Sequence, residues 1–267
     1  MALQPMSRPR QNTPPLLLLG LALAACASFP RPDDHGRNIE ACRNPSTASG
    51  VVVRGHAFAF GPGGRDGRLP GAVVRSLEHP ERCAVTADDG AFAIGGFLPG
   101  DRATLTLDHL GFARIQTGSY AVPEAGIARL TFQAPAWEVF HIMAMSSLIR
   151  PRADRCQIAT TVTQVGVSIY DAAPSHGVAG ATVTLDPRPD DSVGPVYFQY
   201  IGPNVILPDP HLDATTRDGG VLFLNVPPGE YVLRAHKDGV RFTELTMVCR
   251  AGVLTNASPP WGLQALP

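Results

Sequence analysis

Asp209-Pro210-His211-Leu212-Asp213 sets two carboxylates and an imidazole at every second residue. An extended backbone would bring all three to one face, and oxygen and imidazole donors suit hard and borderline metal ions. A solvated loop accounts for the same residues, and no metal is expected. Asp88-Asp89 offers two further carboxylates, but they stand directly before Gly90, where Asp and Gly together favour a turn. Tyr197, Phe198 and Tyr200 lie in a proline-rich stretch, residues 187–210, as rings with polar tips of the kind that contact proteins and sugars. The competing reading is that Tyr197 or Phe198 covers the end of a packed sheet. His56, His79, His109, His141, His176 and His236 share no spacing that would form a site. The chain has no His-Glu-x-x-His, Gly-x-Ser-x-Gly or Cys-x-x-Cys, so zinc-protease, serine-hydrolase and zinc-ribbon readings lack their reacting or ligating residues. No catalytic residue and no cofactor is assigned, and an enzyme is not expected.

The elements that must position these residues come from a chain of 267 residues with Lys+Arg 22 against Asp+Glu 23. That balance gives no electrostatic reason to expect nucleic acid as a partner. Gly 27 and Pro 26 favour turn-rich β structure over helical bundles. Arg8 and Arg10 precede an apolar run at residues 16–25, too short to span a bilayer and fitting the core of a secretory signal. The run ends in Leu23-Ala24-Ala25-Cys26, which resembles the bacterial lipoprotein lipobox. That resemblance implies cleavage before Cys26, acylation of its thiol and anchoring to a membrane, and Ala27 in place of Asp points to the outer membrane. An ordinary signal with an incidental cysteine, or a buried apolar helix, is the alternative.

An internal repeat sets the domain plan. Gly71-Ala72-Val73-Val74 leads to Thr86-Ala87-Asp88-Asp89-Gly90 and then Pro99-Gly100; Gly180-Ala181-Thr182-Val183 leads to Thr215-Thr216-Arg217-Asp218-Gly219 and then Pro228-Gly229. The spacing from Asp89 to Pro99 equals that from Asp218 to Pro228. Short apolar runs between turn signals predict two tandem seven-stranded antiparallel β-sandwiches, an all-β fold. In the first, Leu105 and Leu107 alternate with Thr104 and Thr106, so the leucines are expected inside and the threonines in solvent. Trp137, Phe140, Ala144 and Leu148 follow helical spacing and predict one short helix near 137–148. The expected divisions are a signal at 1–25, a flexible tether at 26–49, a first sandwich at 50–135, a connection at 136–155, a second sandwich at 156–250 and a tail at 251–267. Apart from Cys26, four cysteines remain, an even number in an exported chain, and four allow three pairings. The domain boundaries favour Cys42 with Cys83 and Cys156 with Cys249.

The Gly-Ala-x-Val, Thr-x-x-Asp-Gly and Val226-Pro227-Pro228-Gly229-Glu230-Tyr231 pattern resembles the carboxypeptidase regulatory-like domain, a transthyretin-like sandwich. The likeness is good across residues 178–248 and looser across 51–134. It implies a fold and an accessory style of use, and it carries no catalytic residue, because the motif positions are turns and core. Tyr197, Tyr200, His211 and His236 do not follow the spacing of iron-dependent intradiol dioxygenases, and the Tyr-Arg-Gly-Ser signature of hydroxyisourate hydrolases is missing. The expectation is a non-enzymatic, lipid-anchored envelope protein serving in adhesion, scaffolding or recruitment. Its partners would be a membrane, through the lipid, and an envelope protein or glycan. The alternatives are a carbohydrate- or peptide-binding protein using residues 187–210, and an accessory to an envelope hydrolase.

Overall fold

A computed structural model describes residues 35–43, 49–60, 67–167, 176–202 and 205–267, so Cys26 and the apolar run before it lie outside the described residues. The first half carries α1 (His35–Cys42), β1 (Val51–Phe60), β2 (Val73–Ser76), β3 (Cys83–Val85), β4 (Ala91–Phe97), β5 (Arg102–Ala103), β6 (Leu105–Asp108), β7 (Ile115–Thr117), β8 (Tyr120–Ala121) and β9 (Ile127–Pro135). After α2 (Trp137–Ser146) come β10 (Cys156–Thr163), β11 (Thr182–Asp186), β12 (Val193–Tyr200), β13 (Ile206–Asp209), β14 (Gly220–Val226), β15 (Gly229–His236), β16 (Leu245–Cys249), β17 (Leu254–Asn256) and β18 (Leu263–Gln264).

The repeated phrase builds the same clasp twice. In the first copy the Ala72 amide donates to Thr86 Oγ1 at 2.8 Å, and that hydroxyl donates to the Leu69 carbonyl at 2.6 Å. In the second copy the Ala181 amide donates to Thr215 Oγ1 at 2.9 Å, which donates to the Val178 carbonyl at 2.6 Å. Asp89 and Asp218 then accept from the amides of Ala91 and Gly220, so each carboxylate closes its own turn. Gly90 and Gly219 follow at φ 76 and 77, and a Cβ there would meet the carbonyls of Ala57 and Val162 at 2.5 and 2.4 Å. Glycine is required at both.

Both copies share one topology. β1 pairs antiparallel with β4 and parallel with β9; β10 pairs antiparallel with β14 and parallel with β17 and β18. Facing them, β2 pairs antiparallel with β6, and β11 with β15. Each half closes its own core, around Val53, Leu105, Leu107 and Phe132 in the first and Ile158, Val183, Leu233 and Met247 in the second. The chain is therefore mostly β, with two sandwich cores and each half carrying nine strands among the described residues.

The two halves share a sheet: nine strands join edge to edge in the order β13-β12-β14-β10-β17-β7-β6-β2-β3, with β18 paired to β10 beside this path. One expectation about the first half needs correction. Thr104 and Thr106 are buried together with the leucines, since β6 lies inside that sheet and both of its faces are covered.

The chain ends also differ from the simple division. Within the expected tether, α1 packs against β2 and β3, and Cys42, fully buried, is bonded to Cys83. Cys156 is bonded to Cys249, with Cα atoms 5.7 Å apart. Within the expected tail, β17 and β18 supply ladder strands to the second half.

Candidate functional site

The 187–210 stretch is a β-hairpin rather than a free loop. Where β3 lines up on β2 in the first copy, the corresponding connection in the second crosses to the other sheet, and β12 pairs with β14 and β13. β12 then lies between two cores. Tyr197 faces the second core at 2% exposure, and its phenol oxygen accepts the Val183 amide at 3.1 Å. Phe198, at 6%, faces a third cluster with Val196, Leu222 and Leu224, onto which Met143 and Ile149 pack from α2 and the turn after it. Burial pushes the Tyr197 phenol pKa up. These two rings are core residues, which corrects the expectation that they contact a ligand. Tyr200 alone stays partly exposed, with the Arg217 guanidinium 4.6 Å from its ring centre.

Of the carboxylates singled out from sequence, Asp89 closes its own turn and Asp209 is engaged by its neighbours in the hairpin. Asp209 accepts the His211 amide at 2.9 Å through Oδ1 and the Gln199 side-chain amide through Oδ2. The chain turns at Pro210-His211, so Asp209, His211 and Asp213 do not share an extended face. Among the described residues no group of three His, Cys, Asp or Glu side chains could hold a metal ion. A shallow groove of about 510 Å³ runs past Arg234, His236, Lys237, Arg241 and Glu244. Its cations are already engaged. Arg234 pairs with Asp186 at 2.6 Å and Glu244 at 2.9 Å, and Lys237, the only lysine of the chain, donates to the Ala179 carbonyl at 2.7 Å.

The junction between the halves is more specific. β17 pairs parallel with β10 on one side and with β7 on the other, and the Leu254 amide donates to the Arg114 carbonyl at 3.0 Å. Leu254 places its side chain in the first core. Gln116, fully buried on β7, donates to the Val248 carbonyl and accepts from Arg250 Nε at 2.7 Å. Burial, with the Arg114 charge nearby, lowers the Arg250 pKa from its ordinary value. The Ser119 amide donates to the Thr246 carbonyl at 2.8 Å, and Arg102 bridges to Glu230 at 3.0 Å. Ladder, core and polar contacts thus couple the two sandwiches along one seam.

A second surface feature was missed from sequence. α2 buries Phe140 and Ala144, but Ile142 and Met145 stand 59% and 69% exposed. Leu148, expected on the packed face, lies beyond the helix end at φ 57 and is 88% exposed. The Ile149 amide donates to the Ala144 carbonyl, so Leu148 sits at the left-handed capping position that glycine ordinarily fills, at a cost of about 1 kcal/mol. Ile201 and Val205, also exposed, close the tip of the neighbouring hairpin. The signal in sequence was Ile142, Met145 and Leu148 at intervals of three, a stripe separate from Phe140 and Ala144.

Fold and seam together define a two-sandwich β-protein whose halves share one sheet. No protein-family model matches the chain, and a search of curated proteins finds no match. Among solved structures it is similar to the TIE protein of Bacillus anthracis, with 14% identity and a TM-score of 0.25 over 78% of this chain and 33% of that one. It is similar also to GBS52, the minor pilin of Streptococcus agalactiae, with 11% identity and a TM-score of 0.24 over 81% of this chain and 97% of that one. A double mutant of the shaft pilin SpaA from Lactobacillus rhamnosus GG matches at 9% identity and a TM-score of 0.23, over 81% and 97% of the two chains. The chain spans about a third of the length of the TIE protein. Likeness this weak carries no functional argument.

Proposed function

We propose that the chain is a non-enzymatic envelope protein, anchored by lipid at Cys26, in which two sandwiches act as one rigid scaffold or adhesion module. The observation that supports this reading is the placement of β17 in the ladders of both halves, which suits a part that must hold a fixed geometry rather than open and close on a substrate. Anchor and scaffold fit together in length. Eight residues separate Cys26 from α1, an extended reach of about 30 Å. α1 is bonded to β3 at one edge of the nine-strand path, whereas β13 lies eight strand spacings away, about 38 Å. On this reading the hairpin edge is the end of the strand path farther from the anchor.

Two measurements on cells test this. Wild-type chain is expected to label with a radioactive fatty acid and to pellet with membranes, while Cys26→Ala is released to the soluble fraction; a Cys26→Ala chain that still pellets overturns the anchor. Because Lys237 is the only lysine, partners should be sought with a photo-activatable residue at Arg234 or His236 rather than with amine reagents. A discrete adduct to an envelope protein supports the scaffold, and a saturable rise in Tm with glycans or peptides would replace it with the binding-protein reading.

A further inference from the structure

We propose that Arg114 and Arg250, at the seam of the two halves, form a binding site for a phosphate-type oxyanion. Gln116 lies two residues beyond Arg114, so in extended chain both side chains rise from one face of the shared sheet, about 7 Å apart. Arg250, just past the end of β16, reaches onto that face and donates Nε to Gln116 Oε1 at 2.7 Å. Gln116 is fully buried and its own amide donates to the Val248 carbonyl, so the acceptor that holds Arg250 is fixed in orientation. The guanidinium is thus held by a neutral partner through Nε alone. Among the described residues neither of its Nη groups has an acceptor, and both keep contact with solvent.

The protein does not neutralise this charge by itself. Two acids lie within electrostatic reach of Arg250, namely Asp108 and Glu78, and both are committed elsewhere. Asp108 pairs with Arg114 Nε at 2.5 Å, while Glu78 accepts the Thr104 amide at 2.8 Å and the Thr104 hydroxyl at 2.7 Å. Burial and the repulsion of Arg114 both act against the charge on Arg250, and an anion held between the two guanidiniums offsets them. Guanidinium edges with unfilled N–H donors match the oxygens of a tetrahedral oxyanion. Position bears on the source of that anion. Arg75 pairs in register with Thr106 and Thr106 with Gln116, and the Arg75 guanidinium donates to Cys42 Sγ at 3.2 Å. α1 therefore flanks the same face, two strands away. A lipid headgroup and free phosphate present the same oxygens there; the first source rests on the Cys26 anchor, and the second does not.

Full-length chain in detergent, titrated with sodium phosphate at constant ionic strength, is expected to broaden the phosphorus-31 resonance of phosphate and to gain Tm saturably. Arg250→Gln and Arg114→Gln should each weaken phosphate binding about tenfold, and Arg250→Lys, which keeps the charge and loses the fork, should fall between. Arg54→Gln, exposed on β1, should leave binding unchanged. General salt stabilisation raises Tm equally in all variants, so equal responses of the wild type and both glutamine variants would overturn the proposal, as would a wild-type chain that leaves the resonance unaltered. The Arg114 side chain is 40% exposed, so its variant reports on the site even if Arg250→Gln does not fold. Vesicles of phosphatidylcholine with and without phosphatidic acid, added to the Cys26→Ala chain, separate the sources. Retention by phosphatidic acid that free phosphate competes away and Arg250→Gln abolishes assigns the headgroup; phosphate binding without such retention assigns the free ion. Phosphate binding is read independently of lipidation, so it stands or falls separately from the anchor.

Discussion

At the scale of single residues, the most informative pair is Thr86 and Thr215, which take equivalent positions in the two copies. Each hydroxyl accepts one amide and donates to one carbonyl inside the protein, so each satisfies two buried backbone groups at once. Thr215→Val keeps the shape and removes the hydroxyl, leaving the Ala181 amide and the Val178 carbonyl without that partner. A loss of about 1–3 kcal/mol is expected, read as a lower denaturant midpoint at unchanged slope. Asp218 allows a prediction of opposite sign. Burial raises its pKa above the usual 3.8, although the Gly220 amide pulls the other way. Stability held by the protonated carboxyl is complete below the ordinary carboxylate range and is lost as pH rises through the elevated folded-state value. Asp218→Asn keeps an acceptor for Gly220 and should therefore raise Tm at pH 7, with the gain vanishing near pH 3; a drop at pH 7 would show that the charge itself is needed. These turn residues were legible in sequence because turn chemistry is local. The roles of Tyr197 and Phe198 were not, since a strand with apolar cover on both faces loses the alternation that tells inside from outside.

At the scale of elements, the duplicated plan was readable from spacing, and the disulfides followed from dividing the chain between the copies. The strand that joins the copies was not readable. β17 is three residues long and has no distinctive composition, and its stability comes wholly from the strands on either side. The same holds for α2, whose helical spacing was visible while its two faces were assigned incorrectly at Leu148. The Leu254 amide donates toward the first half, to the Arg114 carbonyl, whereas the preceding Val253 carbonyl accepts from the Gln157 amide on β10. Leu254→Pro therefore cuts the link to the first half selectively, removing one ladder donor and one side chain from its core. Calorimetry should resolve two transitions for this variant where the parent shows one, with the upper transition close to the parent Tm. A single transition merely shifted downward would mean that the halves remain coupled without β17.

For the molecule as a whole, the question is which forces hold the halves in register. Arg102 and Glu230 are exposed, and a pair of that kind contributes at most about 1 kcal/mol and weakens with salt. Ladder bonds and the burial of Leu254 and Gln116 are shielded from solvent and are insensitive to ionic strength. If the second group dominates, the relative position of the sandwiches is fixed at any salt concentration. Spin labels on cysteines placed at Asp88 and Asp238, both exposed turn positions in opposite halves, measure this directly. Double electron–electron resonance should give one narrow distance distribution, unchanged between low salt and 1 M salt, and a broad one once Leu254→Pro is added. A wild-type distribution that broadens with salt would assign the coupling to the ion pairs, and the chain would then be a hinged pair rather than a rigid spacer between its β3 edge and the hairpin edge.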